Sequence, residues 1–306
     1  MKKFAPFFVI LAASLWAVDG IVLRPSLYSL PVTLVVFVES TIVALLLTPF
    51  IYKYFSDIKK LEIKDWIAFG GVALLGGAIG TMAITKALFY VDYVNLSIVI
   101  LIQKLQPVFA ILLAGIFLKE KLPKEFFLWA VLAIIGTYFM TFGFKVPNIS
   151  SGNKTYLAAM FALIAALGFS SSTVLSKRAL KNVSFELGTY LRFAITAVIM
   201  LIIVLVSGNM TSLANISNVQ ISIFLLIAFT TGGPAIFIYY FGLKNISASV
   251  ASICELAFPL TAIALEFILR DNILSPVQWI GTIILLLSIL RVTNIRAEKA
   301  DIPSII

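Results

Sequence analysis

Histidine does not occur among the 306 residues, and cysteine occurs once, as Cys254. The first absence excludes a histidine catalytic dyad, a histidine metal site and a histidine proton relay. The second excludes an intrachain disulfide. Charge is also scarce, at 12% of residues against about 25% in a soluble globular domain. With 61% of the chain hydrophobic, its polar side chains cannot cover a soluble fold, and bilayer lipid removes that requirement. A net charge of +9 would invite a nucleic-acid reading in a soluble protein. Here no nucleic-acid motif is present, and the basic residues fall mostly in short links between apolar stretches, where they set membrane orientation. A nucleophile beside a base, a metal-ligand cluster and a phosphate-binding loop are all missing, so neither an enzyme nor a metal or cofactor is expected.

Ten stretches reach the roughly 20 mainly apolar residues that a spanning helix needs. They are residues 5–23, 31–52, 66–90, 94–117, 126–144, 156–176, 186–207, 220–242, 246–268 and 277–293. The first follows Lys2 and Lys3 as a signal peptide would, but Trp16 and Asp19 interrupt it and no small-residue cleavage site follows, so it is read as a helix. With the N-terminus in the cytoplasm, sixteen Lys and Arg fall on the inner side. Four, Arg24, Lys145, Lys154 and Arg270, fall on the outer side, and Lys86, Lys104 and Arg192 lie within spans. That asymmetry predicts both termini in the cytoplasm.

The chain repeats itself. An offset of 153 aligns Ile10-Leu11-Ala12-Ala13 with Leu163-Ile164-Ala165-Ala166 and pairs Asp19 with Ser172, Arg24 with Lys177 and Glu39 with Arg192. An offset of 152 pairs Gln103 with Glu255 and Pro107 with Pro259. A repeat of five helices starts its second copy from the opposite face of the membrane, so the halves are inverted. The expected organisation is an all-α integral membrane protein of two inverted five-helix repeats around a central cavity. The repeats cover residues 1–145 and 155–294, with an outer linker at 146–154 and a cytoplasmic tail at 295–306.

Three pieces of the sequence resemble the EamA type of the drug/metabolite transporter superfamily. They are Ser14-Leu15-Trp16-Ala17, the run from Leu105-Gln106-Pro107-Val108-Phe109 to Phe117-Leu118-Lys119-Glu120-Lys121-Leu122, and Glu255 to Pro259. The resemblance covers nearly the whole chain. It implies a ten-helix carrier working by alternating access, most often on amino acids or related metabolites, in the cytoplasmic membrane of a prokaryote.

Ionisable residues at membrane depth are the sharpest functional signal. Asp19, Glu39, Lys86, Lys104, Arg192 and Glu255 each cost about 2.5–3.5 kcal/mol at a helix centre. Unpaired, the six would exceed a typical folding stability, so most must pair or face water. At 1.5 Å per residue, Asp19, Glu39 and Lys86 share an outer layer, in which Lys86 either neutralises Glu39 or leaves it as a proton carrier. Lys104 and Glu255 fall near the midplane beside Gln103, as either a two-signed substrate site or a structural ion pair. Arg192 lies in the inner third, where it either binds substrate or snorkels to the interface. Trp16, Tyr239 and Tyr240 either stack on a substrate or pack in the core. Pro107 and Pro259 are candidate hinges, since proline breaks helical hydrogen bonding. Gly76-xxx-Gly80 is read as internal packing rather than a dimer face.

The expected partners are a small-molecule substrate and membrane lipid, with a coupling proton or sodium left open, and the chain is a monomer or weak dimer. The reading is a secondary transporter of a small polar metabolite, an amino acid or related zwitterion or amine first, by export or exchange. A channel or facilitative pore is the alternative.

Overall fold

The computed structural model describes residues 4–89, 99, 102–146, 153–270 and 274–295. Among these every regular element is a helix. Nine are long and apolar enough to cross a membrane, and a tenth apolar helix is shorter. In chain order they are α1 (Ala5–Leu27), α2 (Val32–Tyr54), α3 (Ile63–Ala87), the short α4 (Gln106–Phe117), α5 (Lys124–Phe142), α6 (Tyr156–Ala179), α7 (Phe185–Val206), α8 (Asn218–Asn245), α9 (Ala248–Leu269) and α10 (Pro276–Asn294). Most of the predicted linker at 146–154, the tail beyond Ile295 and the start of the span at 94–117 lie outside the described residues. Large apolar side chains such as Leu112, Ile116, Val198, Ile202 and Ile280 point outward. That is the surface hydrocarbon requires, and helices satisfy their own backbone within it. The chain is an integral membrane protein.

Helix starts follow local chemistry. Ser184, Ser247 and Ser275 each accept a hydrogen bond from a backbone N–H in the first turn of α7, α9 and α10. At α8 and α10 a glutamine completes the reciprocal pair, Ser217 with Gln220 and Ser275 with Gln278.

The packing repeats under a pseudo-twofold axis. α1 lies against α8 as α6 lies against α3, α4 packs on α6 as the second part of α9 packs on α1, and α2–α7 and α5–α10 pair across the axis. α5 and α10 approach closely because Gly136 and Gly281 face each other's backbone. A Cβ on Gly136 would lie 2.8 Å from the Leu285 nitrogen, closer than atoms pack. Gly76 and Gly80 face Ser172 and Phe169 of α6, so this pair of glycines packs within the chain.

Four irregularities bear on the cavity. α1, α3 and α8 each contain a π-helical segment, at Asp19–Leu23, Ala73–Gly80 and Ala228–Gly232, and such segments often mark functional sites. The fourth is a paired break. α9 is interrupted at Glu255 and Leu256, and the chain turns at Lys104 and Leu105 before α4. A proline lacks the N–H for its i−4 partner and crowds that residue's carbonyl. For Pro259 the partner is Glu255, and for Pro107 it is Gln103. The breaks therefore fall at symmetric positions in the two halves.

Candidate functional site

Between the halves lies a cavity of about 420 Å³. Its walls come from α1, α2, α3, α4 and the turn before it, and from α6, α7, α8 and α9; α5 and α10 contribute nothing to them. The lining residues recur at helical spacing, so each helix offers one face. On α1 these are Trp16, Asp19 and Gly20, on α2 Val36, Glu39 and Ser40, on α6 Phe169, Ser172, Thr173 and Ser176, and on α7 Arg192, Phe193 and Thr196. Ten of the twelve residues singled out from sequence are among the lining: Trp16, Asp19, Glu39, Gln103, Lys104, Arg192, Tyr239, Glu255, Pro107 and Pro259.

Lys86 and Tyr240 are not. The Lys86 side chain is exposed, which corrects its placement in the site, and of the two readings of that layer the one in which Lys86 neutralises Glu39 is not seen: the cation there is Arg24. Its Nε and Nη2 donate to Asp19 Oδ2 at 2.8 and 2.5 Å, and Nη2 also donates to Glu39 Oε2 at 3.1 Å. Hydropathy ends the first span at Leu23 and leaves Arg24 in the outer link. In the structure the π-turn from Asp19 and a 3-10 turn over Arg24–Leu27 continue the helix, and Arg24 folds inward onto the two carboxylates. Tyr240 stands behind the cavity wall, fully buried. Its hydroxyl lies 2.9 Å from Ser176 Oγ and accepts from Arg192 Nη1 at 3.4 Å. Arg192 does not snorkel. It lies over the Tyr240 ring, 6.0 Å from its centroid, and lines the cavity.

At the paired break Lys104 and Glu255 both line the cavity, and the structural ion pair that stood as the alternative to a two-signed substrate site does not form. Glu255 Oε1 accepts from the Tyr239 hydroxyl at 2.6 Å and Oε2 accepts from Gln106 Nε2 at 2.8 Å. With its proton given to Glu255, the Tyr239 oxygen accepts from Thr173 Oγ1 at 3.0 Å. Lys104 instead stands over the Phe258 ring, 5.9 Å from its centroid. The turn at Lys104 and Leu105 decides this, because it swings Lys104 away and carries Gln106, at the start of α4, across to Glu255. Trp16 packs against Tyr239 with ring centroids 5.2 Å apart.

Arg24, Gln106 and Thr173 therefore belong to the site although sequence reasoning passed over them. The hydroxyl face of α6 carried a usable signal: Ser172, Thr173 and Ser176 recur at i, i+1 and i+4 within an apolar span. Among the described residues no group of three acidic, histidine or cysteine side chains could hold a metal ion.

On the side of the molecule remote from Arg24, polar side chains seal helix ends. Glu120, just after α4, accepts from the backbone N–H groups of Ala248 and Ser249 at 2.7 and 3.1 Å and from Ser249 Oγ at 2.6 Å. Lys177 donates to the carbonyls of Leu243 and Lys244 at 2.9 and 3.0 Å, near the end of α8. Positive charge is favourable at a helix C-terminus.

Known proteins share this architecture. The sequence model of the EamA-like transporter family matches twice, over residues 3–142 and 156–294. The riboflavin transporter ImpX of Fusobacterium nucleatum subsp. nucleatum is 42% identical over 288 residues, which cover 94% of this chain and 96% of that protein. An uncharacterized transporter of Synechocystis sp. is 25% identical over 79% of this chain and 70% of its own length. A solved crystal structure superposes with a TM-score of 0.73 at 16% identity, covering 96% of this chain and 95% of its own, which speaks to fold alone. With one family match on each five-helix half and a cavity between them, this chain belongs to the EamA-like transporter family.

Proposed function

We propose that the chain is a secondary carrier of riboflavin or a closely similar flavin, moved through the central cavity by alternating access. The observation that carries this reading is the near-full-length likeness to a protein named a riboflavin transporter. The cavity supports it in three ways. Its volume of about 420 Å³ lies within the range of about 300–1,000 Å³ typical of small-molecule sites. Its lining holds three cations, Arg24, Lys104 and Arg192, and three carboxylates, Asp19, Glu39 and Glu255. At ordinary ionisation they balance, which suits a neutral solute such as riboflavin. Trp16, Phe169, Tyr239 and Phe258 offer ring faces to a planar tricycle, and the amides of Gln103 and Gln106 match a carbonyl and imide edge.

The zwitterion expectation rested on Lys104 opposing Glu255, and Glu255 is engaged by Tyr239 and Gln106 instead. A channel would favour a ring of one charge sign, whereas these charges are mixed. Riboflavin uptake into proteoliposomes tests the proposal. Saturable uptake, accelerated by riboflavin preloaded inside, is expected. Uptake that rises linearly without saturation would indicate a pore, and uptake of an amino acid with none of riboflavin would reverse the substrate assignment.

A further inference from the structure

Among the described residues six buried side-chain polar atoms lack a hydrogen-bond partner. Five of them belong to residues lining the cavity: Asp19 Oδ1, Arg24 Nη1, Gln103 Nε2, Thr196 Oγ1 and Thr231 Oγ1. Buried polar groups in native proteins are ordinarily partnered, so each exception asks for an explanation. Their concentration on one cavity points to what fills it.

Two of the five, Asp19 Oδ1 and Arg24 Nη1, belong to the ion pair at the Arg24 end. Thr231 lines the same cavity and precedes Gly232, where an added Cβ would stand 3.6 Å from Glu39 Oε1. Asp19 is 7% exposed and Thr231 3%. Both sit in π-helical segments, Asp19 at the start of one and Thr231 near the end of another. The guanidinium is already held by Nε and Nη2 against Asp19 Oδ2 and Glu39 Oε2. That grip leaves Nη1 as a fixed, unused donor and Asp19 Oδ1 as a fixed, unused acceptor. An arginine nitrogen only donates and a carboxylate oxygen only accepts, whereas a hydroxyl does both. Hydroxyls on adjacent carbons can therefore answer Asp19, Arg24 and Thr231 together. A charged group could satisfy one of these atoms but would upset the balance of charges around the cavity.

We propose that the Arg24 end of the cavity is a polyol subsite, in which Asp19 Oδ1, Arg24 Nη1 and Thr231 Oγ1 take the vicinal hydroxyls of the substrate's ribityl chain. The ring then lies toward Trp16, Tyr239 and Phe258. This rests on the flavin reading above and adds to it where the sugar-like chain is recognised.

Lumiflavin, which keeps the flavin ring but carries a methyl group in place of the ribityl chain, isolates the contribution of the hydroxyls. Binding of riboflavin and lumiflavin to the purified full-length protein is followed by quenching of flavin fluorescence. Riboflavin should bind about tenfold or more tightly than lumiflavin, the scale of one or two hydrogen bonds to charged groups. Thr231→Val, which removes the orphan hydroxyl at nearly constant volume, and Asp19→Asn should each narrow that preference severalfold by weakening riboflavin far more than lumiflavin. Equal affinity for the two flavins, or variants that weaken both alike, overturns the subsite and leaves water as the partner of these atoms, while the flavin reading stands. Failure of both flavins to bind overturns the flavin reading and the subsite together.

Discussion

Individual side chains in the cavity show how a hydrogen-bond partner is chosen. Glu255 was legible from sequence because a carboxylate halfway along an apolar span has no tolerable place except a cavity or a partner. Its partners were not legible. Lys104 is the nearest cation by depth, but the turn beside it directs Gln106 to the carboxylate. This has a measurable consequence. Were Lys104 and Glu255 a buried ion pair, removing one partner would cost about 3–5 kcal/mol. With Lys104 set over Phe258 and no carboxylate among its described contacts, Lys104→Met should leave the thermal unfolding midpoint in detergent unchanged or raise it. A large drop would restore the ion pair. Arg24 teaches the same lesson from the other side. It follows the end of an apolar run, where hydropathy assigns it to water, and only the continued helix brings it back onto Asp19 and Glu39.

Among the elements, the two broken helices and the seal beside them stand out. Pro107 and Pro259 lie at equivalent places in the repeat, and the helical ladder fails two to four residues before each. That much follows from ring geometry and was readable in the sequence. The seal was not. Two residues past the end of α4, Lys119 stands at φ 52°, a left-handed conformation that costs a non-glycine residue roughly 1–2 kcal/mol. The Glu120 N–H then closes back on the Ala114 carbonyl, as at many helix C-termini. This strained turn delivers Glu120 to the start of α9 in the other half, where it caps two N–H groups and a hydroxyl. Losing such a cap costs about 0.5–2 kcal/mol. The sole cysteine, Cys254, is fully buried near the end of the helical segment that Glu120 caps. Maleimide labelling of Cys254 should therefore be slow in the native protein and several times faster in Glu120→Ala. Equal rates would mean that Glu120 does not hold the halves together.

For the whole molecule, the inverted repeat explains why the cavity lies where it does. Two five-helix units of opposite orientation place α1–α4 against α6–α9 around one axis, and α5 and α10 clasp outside through Gly136 and Gly281. The asymmetry of Lys and Arg between links predicts both termini in the cytoplasm. Fusions of a reporter that fluoresces only in the cytoplasm and a phosphatase active only outside check this. Fluorescence is expected at either end, and phosphatase activity at a terminus would invert the topology.

Number of spans, inversion of the halves and the presence of buried charge were determined by the sequence alone, because lipid rewards apolar length residue by residue and a repeat is visible without folding. Which charges meet was decided only by the tertiary structure. A side chain's partner depends on helix rotation, on π-turns such as Asp19–Leu23 and on breaks such as that at Glu255, each of which turns a helix face through an angle that no linear pattern records. Asp19 and Glu39 could thus be assigned to a polar interior from their depth, while their sharing of Arg24 required the fold.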